Sequence, residues 1–181
     1  MNEHSSIIDE CLEGKSTSQQ KLFEMFAPKM MGVCIRYMKS QHEAEDMLQD
    51  GFIKVFNKLG DFEKNGSLEG WVRRIMVNTC LDQIRKNAKF AYNTDISVVE
   101  YKMENQNLTL DNLAAQDLMR LINEMPQGYK VVFNMFAIEG YSHKEIAELL
   151  GISENTSKSQ YSRARAFLRE KIELQDVERT R

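Results

Sequence analysis

The side chains with the clearest chemical use lie between Glu154 and Arg169, where cationic and hydroxyl-bearing residues recur in a helical pattern. Tyr161, Ala164 and Leu168 are spaced by three and four residues, which predicts that they form the buried face of one helix. The opposite face then offers donors for phosphates and base edges: Asn155, Thr156, Lys158, Ser159, Ser162, Arg163 and Arg165. A basic face of this kind is either a DNA contact or an ordinary solvated surface, so its interpretation depends on what precedes it.

Residues 141–154 carry the order of signals that a helix-turn-helix requires. Ser142 followed three residues later by Glu145 predicts a capping box at the start of a helix. Ala147 is small where a second helix must cross closely, and Gly151 can adopt the left-handed conformation that ends the helix. Ser153 can cap the next helix. The sequence therefore predicts a helix-turn-helix whose second helix enters the major groove, with Ser142 as a further candidate DNA contact.

Carboxylates cluster on a predicted helix in the first half of the chain, at Glu43, Glu45, Asp46 and Asp50. Carboxylates that act as general acid and base need a placed partner and a cleft, and His42 stands alone without metal-ligand spacing. From the residues alone, the cluster complements the dipole of a helix N-terminus in solvent. No catalytic residue, metal site, cofactor or small-molecule substrate is predicted.

Composition excludes several classes of protein. The formal net charge of −3 is not that of a polycationic nucleic-acid coat, so any DNA contact must use local patches. Cys11, Cys34 and Cys80 are widely spaced and lack the pairing of zinc or redox motifs, which predicts reduced, buried thiols. No apolar run is long enough to span a membrane and no secretory signal is evident, so a cytoplasmic location is expected.

The spacing of apolar residues predicts an all-α protein with two small helical domains joined by a flexible linker. Two or more amphipathic helices are predicted over residues 18–58, a polar loop over 61–67, and a helix over 71–89 with an apolar stripe of Trp71, Ile75, Leu81 and Ile84. A second helical block begins near residue 113, and Pro126 suits the first turn of one of its helices. The predicted organisation is a first domain over 1–90, a linker over 91–112 and a second domain over 113–181.

From about Leu22 to Ile172 the sequence resembles the extracytoplasmic-function (ECF) group of the sigma-70 family. Residues 125–133 and 139–147, completed by residues 162–165, look like the family's region four. Residues 43–56 are similar to its polymerase-docking helix, and residues 66–86 resemble its promoter-melting segment. Ser157, Gln160 and Tyr161 depart from the family pattern, in which an aliphatic, a basic and a leucine residue stand.

The resemblance implies three sets of site residues. Docking on core RNA polymerase falls to Glu45, Asp46, Gln49 and Asp50. Contacts to the minus-ten element fall to Asn65, Ser67, Arg73, Arg74, Asn78, Asp82, Arg85 and Lys86, with the loop over 61–67 placed to form a base-holding pocket. The helix-turn-helix contacts described above would recognise the minus-thirty-five element. Trp71 is expected in the hydrophobic core rather than as a stacking platform.

The implied function is that of an alternative sigma factor, which is not an enzyme itself. Its partners would be core RNA polymerase, through the clamp helices and the flap, promoter DNA, and an anti-sigma factor that in this family is often membrane-bound. The cytoplasmic protein would then be held at the inner membrane in its inhibited state. The alternative hypothesis is a polymerase-independent helix-turn-helix regulator that binds an operator as a symmetric dimer.

Overall fold

The regular elements of the described chain are all helical. The structure, a computed structural model, describes the backbone of residues 5–63, 66–93 and 113–179, and the side chains of residues 5–63, 66–87 and 117–175. Within these ranges the helices are α1 (Ser5–Leu12), α2 (Ser16–Tyr37), α3 (Gln41–Lys58), α4 (Leu68–Asn93), α5 (Leu113–Asn123), α6 (Gln127–Phe133), α7 (His143–Leu150) and α8 (Glu154–Arg179). The predicted all-α class is confirmed.

The chain divides into two units, residues 1–101 and residues 102–181. The division falls inside the predicted linker, of which residues 94–112 lie outside the described part of the chain. Helix α4 continues to Asn93, so the first three residues assigned to the linker are helical. The predicted domain limits stay predictions.

Unit one is built on the mutual packing of α2, α3 and α4. Leu22, Val33 and Val55 are fully buried among these helices, and each such side chain stabilises the fold by about 1.5–3 kcal/mol. Helices α3 and α4 approach closely at Gly51, where an added Cβ would lie 2.2 Å from the sulfur of Met76. Any side chain at position 51 would therefore have to displace the buried Met76 side chain.

The buried face of α4 is not the predicted one. Of the four residues in the predicted stripe only Leu81 is buried, whereas Trp71, Ile75 and Ile84 are half-buried. The core is filled instead by Leu68, Val72, Met76, Val77 and Cys80. Apolar residues occupy two adjacent faces of this helix, and contact with α2 and α3 selects between them.

Helix α1 was not predicted from the sequence. Its Ile8 and Cys11 are buried, and it packs on α2 and on a 3-10 turn, Leu59–Asp61, that follows α3.

Cys34 and Cys80 are buried as well as Cys11, so the expected burial of all three cysteines is confirmed. A hydrogen bond with the Cys34 thiol, together with burial, raises the pKa of Cys80.

Unit two is organised around α8, against which α6 and α7 pack extensively. Its core includes Leu121, Ile122, Met125, Ala164 and Leu168. Helix α6 is followed by a π turn, Asn134–Ile138, which leads into the helix-turn-helix.

Candidate polymerase and promoter interfaces

The acidic face of α3 points away from the core of unit one. Ser40 caps the helix by accepting a hydrogen bond from the amide of Glu43 at 3.2 Å, and the Glu43 carboxylate accepts one from the amide of Lys39 at 2.9 Å. This fixed start places the four predicted docking residues on solvent-exposed positions: Glu45, Asp46, Gln49 and Asp50. Ala44, Met47 and Leu48 occupy the opposite, buried face.

Two further residues, His42 and Ile53, lie on this acidic face. His42 lies 3.4 Å from the Asp46 carboxylate, and a backbone hydrogen bond together with that carboxylate raises the pKa of His42. Ile53 is 58% exposed within the same face, three residues after Asp50. Ile53 was not among the predicted site residues, although an isoleucine that falls out of phase with the buried stripe of its helix can be recognised from the sequence.

The predicted minus-ten residues are spread along α4 and its entrance. Ser67 caps the helix, since its hydroxyl accepts from the amide of Gly70 at 3.3 Å. Arg74, Arg85 and Lys86 are exposed, whereas Arg73, Asn78 and Asp82 are half-buried. Asn65 lies outside the described residues.

Asp82 is already engaged by two cations. Its carboxylate oxygens lie 2.5 Å from Arg85 Nη2 and 3.4 Å from Lys54 Nζ. Asp82 was predicted as a contact to the minus-ten element, and its carboxylate is ion-paired in the structure. Lys54 comes from α3 and was not among the predicted site residues.

An open cavity of about 300 Å³ lies at the entrance of α4. It is lined by Asp61, Phe62, Glu63, Gly66, Ser67 and Trp71. The rings of Phe62 and Trp71 pack against each other at a tilt, with 5.5 Å between their centroids. Trp71 packs on the buried Phe62 and also lines the cavity, so it is half-buried rather than the fully buried core residue that was expected.

The helix-turn-helix of unit two has the local geometry that the sequence predicts. Ser142 and Glu145 form a reciprocal capping box, in which the Ser142 hydroxyl accepts from the Glu145 amide at 3.2 Å and the carboxylate accepts from the Ser142 amide at 2.8 Å. Gly151 ends α7 with a φ of 68°, in the left-handed region. Ser153 then accepts from the Thr156 amide at 3.0 Å and so caps α8.

The candidate contacts on α8 form one open surface. All of the following are exposed except Thr156, which is half-buried: Asn155, Thr156, Lys158, Ser159, Ser162, Arg163 and Arg165. Lys158 pairs with Glu154 at 2.7 Å, and this hydrogen bond lowers the pKa of Glu154. Arg165 lies 6.0 Å above the ring of Tyr161, which restricts its side chain.

Helices α7 and α8 are joined by a polar contact that was not predicted from the sequence. Ser157 is fully buried, and its hydroxyl lies 2.9 Å from Nδ1 of His143. The His143 ring stacks on Phe136 with centroids 4.2 Å apart, and Tyr161 packs against Phe136 at 4.5 Å. The departure from an aliphatic residue at position 157 is thus compensated by a hydrogen bond and by aromatic packing.

Neither a metal-binding cluster nor a membrane-spanning helix is found among the described residues. No group of three or more histidine, cysteine, aspartate or glutamate side chains is arranged there to hold a metal ion. None of the helices in the described ranges is both long enough and apolar enough to cross a bilayer.

Two models of one protein family match the chain in sequence. The model described as Sigma-70 region 2 matches residues 22–90, which include the acidic face of α3 and the cavity. The model described as Sigma-70, region 4 matches residues 115–168, which include the helix-turn-helix. Together the two stretches cover well over half of the chain.

Curated relatives carry names from the same family. The ECF RNA polymerase sigma factor SigE of Mycolicibacterium smegmatis is 29% identical over 157 residues, which is 84% of this chain and 61% of that protein. The ECF RNA polymerase sigma factor SigW of Bacillus subtilis is 25% identical over 176 residues, 91% of this chain and 94% of that protein. The chain thus spans less than two thirds of the first relative and nearly all of the second.

Solved structures of similar fold include two protein complexes. The sigma factor RpoE in complex with the anti-sigma factor NepR from Bartonella quintana matches with a TM-score of 0.58 and 23% identity, covering 85% of this chain and 96% of that chain. CnrH in complex with the cytosolic domain of CnrY matches with a TM-score of 0.50 and 19% identity, covering 93% and 96%. Likeness at these identities establishes the fold alone. The sequence matches to region 2 and region 4, in that order along the chain, establish that it belongs to the sigma-70 family of RNA polymerase sigma factors, as a member of its ECF group.

Proposed function

We propose that the chain is an alternative sigma factor, which binds core RNA polymerase and directs transcription initiation at specific promoters. The observation that carries the proposal is the presence of both sigma-70 regions in one chain, one with an exposed acidic face and the other with a capped helix-turn-helix. The polymerase carries the chemistry of RNA synthesis, and this chain selects where it begins.

The acidic face of α3 is the proposed docking surface for the clamp helices of core polymerase. Its exposed carboxylates attract a cationic partner and accelerate encounter, because surface charge acts at long range. Ile53 supplies an apolar contact within the face, and apolar anchors surrounded by polar residues typically carry much of the binding energy. The flap of the polymerase is the proposed partner of unit two.

The cavity at the entrance of α4 is the proposed site for a base extruded from the minus-ten element. Extruding a base costs a few kcal/mol, and stacking on an aromatic ring returns about 1–3 kcal/mol per base. Phe62 and Trp71 line the cavity and supply such rings. Arg73, Arg74 and Lys86 are the proposed phosphate contacts beside it, and Asn78 is the proposed reader of a base edge.

Helix α8 is the proposed reader of the minus-thirty-five element. Its exposed amide, hydroxyl and guanidinium groups can contact both base edges and phosphates in a major groove. The net charge of −3 suits this division of labour, since the basic surfaces act together only when the polymerase holds both units on DNA.

An anti-sigma factor is the proposed inhibitor of this chain. One of the structural neighbours, the sigma factor RpoE from Bartonella quintana, is in complex with the anti-sigma factor NepR. The proposed location is the cytoplasm, with the inhibited form held at the inner membrane by its partner.

A co-elution experiment with core polymerase tests the proposal. Wild-type chain is compared with the double charge reversal Asp46→Lys/Asp50→Lys, and the matched control is Glu13→Lys/Glu24→Lys, which makes the same charge change at exposed positions of unit one outside the acidic face. We expect the control to co-elute like the wild type and the double reversal at positions 46 and 50 to lose binding.

Each other outcome is decisive as well. Binding by both variants would keep the function and place the docking surface elsewhere. No binding by the wild type, with tight binding to DNA alone, would overturn the proposal in favour of the polymerase-independent regulator.

A further inference from the structure

Asp82 is the centre of a charged cluster that joins α3 to α4. Its Oδ1 accepts a hydrogen bond from Arg85, and its Oδ2 accepts one from Lys54. The three side chains are between 42% and 46% exposed, so the cluster lies at the surface without being fully solvated. With one carboxylate and two cations, its formal charge is one positive unit.

This arrangement bears on what Asp82 can do near DNA. A carboxylate reads a base by accepting a hydrogen bond, for example from the amino group of cytosine, and an unpaired carboxylate repels the phosphates around it. In the cluster both oxygens already accept from cations, and the negative charge is cancelled. The group is therefore better suited to hold cations than to read a base.

The two cations gain from being held. Lysine and arginine lose side-chain freedom when they bind a phosphate, and this loss weakens binding. A side chain that is already fixed by a carboxylate loses less. Because Lys54 and Arg85 keep more than two fifths of their surface exposed, each can still meet a phosphate while it remains near Asp82.

We propose that Asp82 is a positioning residue for promoter DNA and that Lys54, from α3, is a further phosphate contact beside the minus-ten element. Asp82 holds Lys54 and Arg85 side by side, so that α3 contributes a cation to a surface otherwise formed by α4. The inference rests on the proposed sigma function and deepens it.

Binding of the reconstituted holoenzyme to a fluorescent minus-ten oligonucleotide, measured at several salt concentrations, tests the role of Lys54. One phosphate contact contributes about 0.7–0.9 to the magnitude of the slope of log affinity against log salt, which corresponds to about four- to sixfold in affinity between 1 M and 0.15 M salt. Lys54→Ala should reduce the magnitude of the slope by about 0.7–0.9. Lys21→Ala, which removes an exposed lysine of α2 outside the cluster, should leave it unchanged.

Asp82→Asn separates the positioning role of Asp82 from two alternatives, a purely electrostatic effect on DNA binding and the reading of a base. The substitution adds one positive charge to the surface, so a purely electrostatic effect would tighten DNA binding. If Asp82 instead positions Lys54 and Arg85, its loss weakens DNA binding. The loss of affinity is then the same whichever base stands at each minus-ten position. A base-reading role would change the preference at one position by roughly fivefold or more. Tighter binding or an altered base preference would overturn the assignment of Asp82.

The folded state is monitored separately through Trp71, the single tryptophan, which lies in unit one. An unchanged salt slope for a folded Lys54→Ala variant would overturn the contact while leaving the sigma function intact. A wild-type holoenzyme that does not form, or that does not bind promoter DNA, would overturn the sigma function and this inference together.

Discussion

Replacing Ser157 by alanine tests whether the buried contact between α7 and α8 stabilises the helix-turn-helix. Ser157 is fully buried, and its hydroxyl lies 2.9 Å from Nδ1 of His143. The substitution removes the hydroxyl and leaves the imidazole nitrogen without that partner. His143 itself is half-buried, so water can replace part of the lost interaction.

The expected magnitude follows from two opposing terms. Loss of one intramolecular hydrogen bond costs about 1 kcal/mol, whereas alanine is favoured over serine in a helix by roughly 0.5 kcal/mol. The net loss for Ser157→Ala is therefore about 0.5 kcal/mol. The matched control is Ser159→Ala on the exposed side of the same helix, which keeps the propensity gain without losing a buried bond. The two variants should differ by about 1 kcal/mol.

Urea unfolding of the full chain, followed by circular dichroism and by tryptophan fluorescence, measures this difference. Trp71 lies in unit one, so its fluorescence does not report on the helix-turn-helix of unit two. For a unit of this size the urea dependence of unfolding is about 1 kcal/mol per M, so the unit-two transition should differ by about 1 M between the variants.

Two results would refute the reasoning. If Ser157→Ala were as stable as Ser159→Ala, the buried hydrogen bond would contribute nothing. If Ser157→Ala shifted the Trp71 transition as well, the effect would not be confined to unit two. His143→Ala should destabilise unit two by more than either serine variant, because it also removes the stacking on Phe136, worth about 0.5–1.5 kcal/mol.

Three other predictions concern packing, backbone conformation and thiol reactivity. Gly51→Ala should destabilise unit one by about 1 kcal/mol or more, measured by Trp71 fluorescence in urea, because the new Cβ meets the buried sulfur of Met76. Gly151→Val should destabilise unit two by about 1–2 kcal/mol, measured by circular dichroism, because a β-branched residue is strained at a φ of 68°. Cys80 should resist iodoacetamide at pH 8 until urea unfolds the chain, measured by mass spectrometry, because its raised pKa keeps the buried thiol protonated.

Each of these has a control or a contrary outcome. Gly32→Ala lies in α2 with open space around the added Cβ, so it should raise stability where Gly51→Ala lowers it. An unchanged melting profile for Gly151→Val would mean that α7 ends without the left-handed turn. Labelling of Cys80 in the folded chain would show that unit one opens locally. Because folding raises the pKa of the Cys80 thiol, the protonated thiol favours the folded state at every pH below the pKa of the unfolded chain. This stabilisation falls as the pH rises above that unfolded value.

The helix-turn-helix could be predicted in detail because its signals are local. A capping box involves residues three positions apart, and a left-handed glycine depends on its own φ angle. Ser142, Glu145, Gly151 and Ser153 therefore perform the structural roles that the sequence predicts for them. The exposure of the four proposed docking residues on α3 is likewise a local property, because it depends on which positions of one helix are apolar.

Contacts between helices were not predictable in this way. The sequence shows two apolar faces on α4, and only the packing of α2 and α3 decides that Val72 and Met76 are buried while Ile75 is not. The pairing of His143 with Ser157 and that of Lys54 with Asp82 join residues 14 and 28 positions apart. No regular helical spacing relates the two members of either pair.

The sequence by itself determined the helical class, the two-part organisation, the helix-turn-helix and the resemblance to the sigma-70 family, because each depends on residues that are neighbours along one helix or turn. Tertiary structure alone decided which side of α4 is buried, that Phe62 and Trp71 line one cavity, and that Asp82 is held by cations from two helices. The physical reason is that distance in space between helices is set by the packing of whole faces, in which no single residue or spacing carries the information.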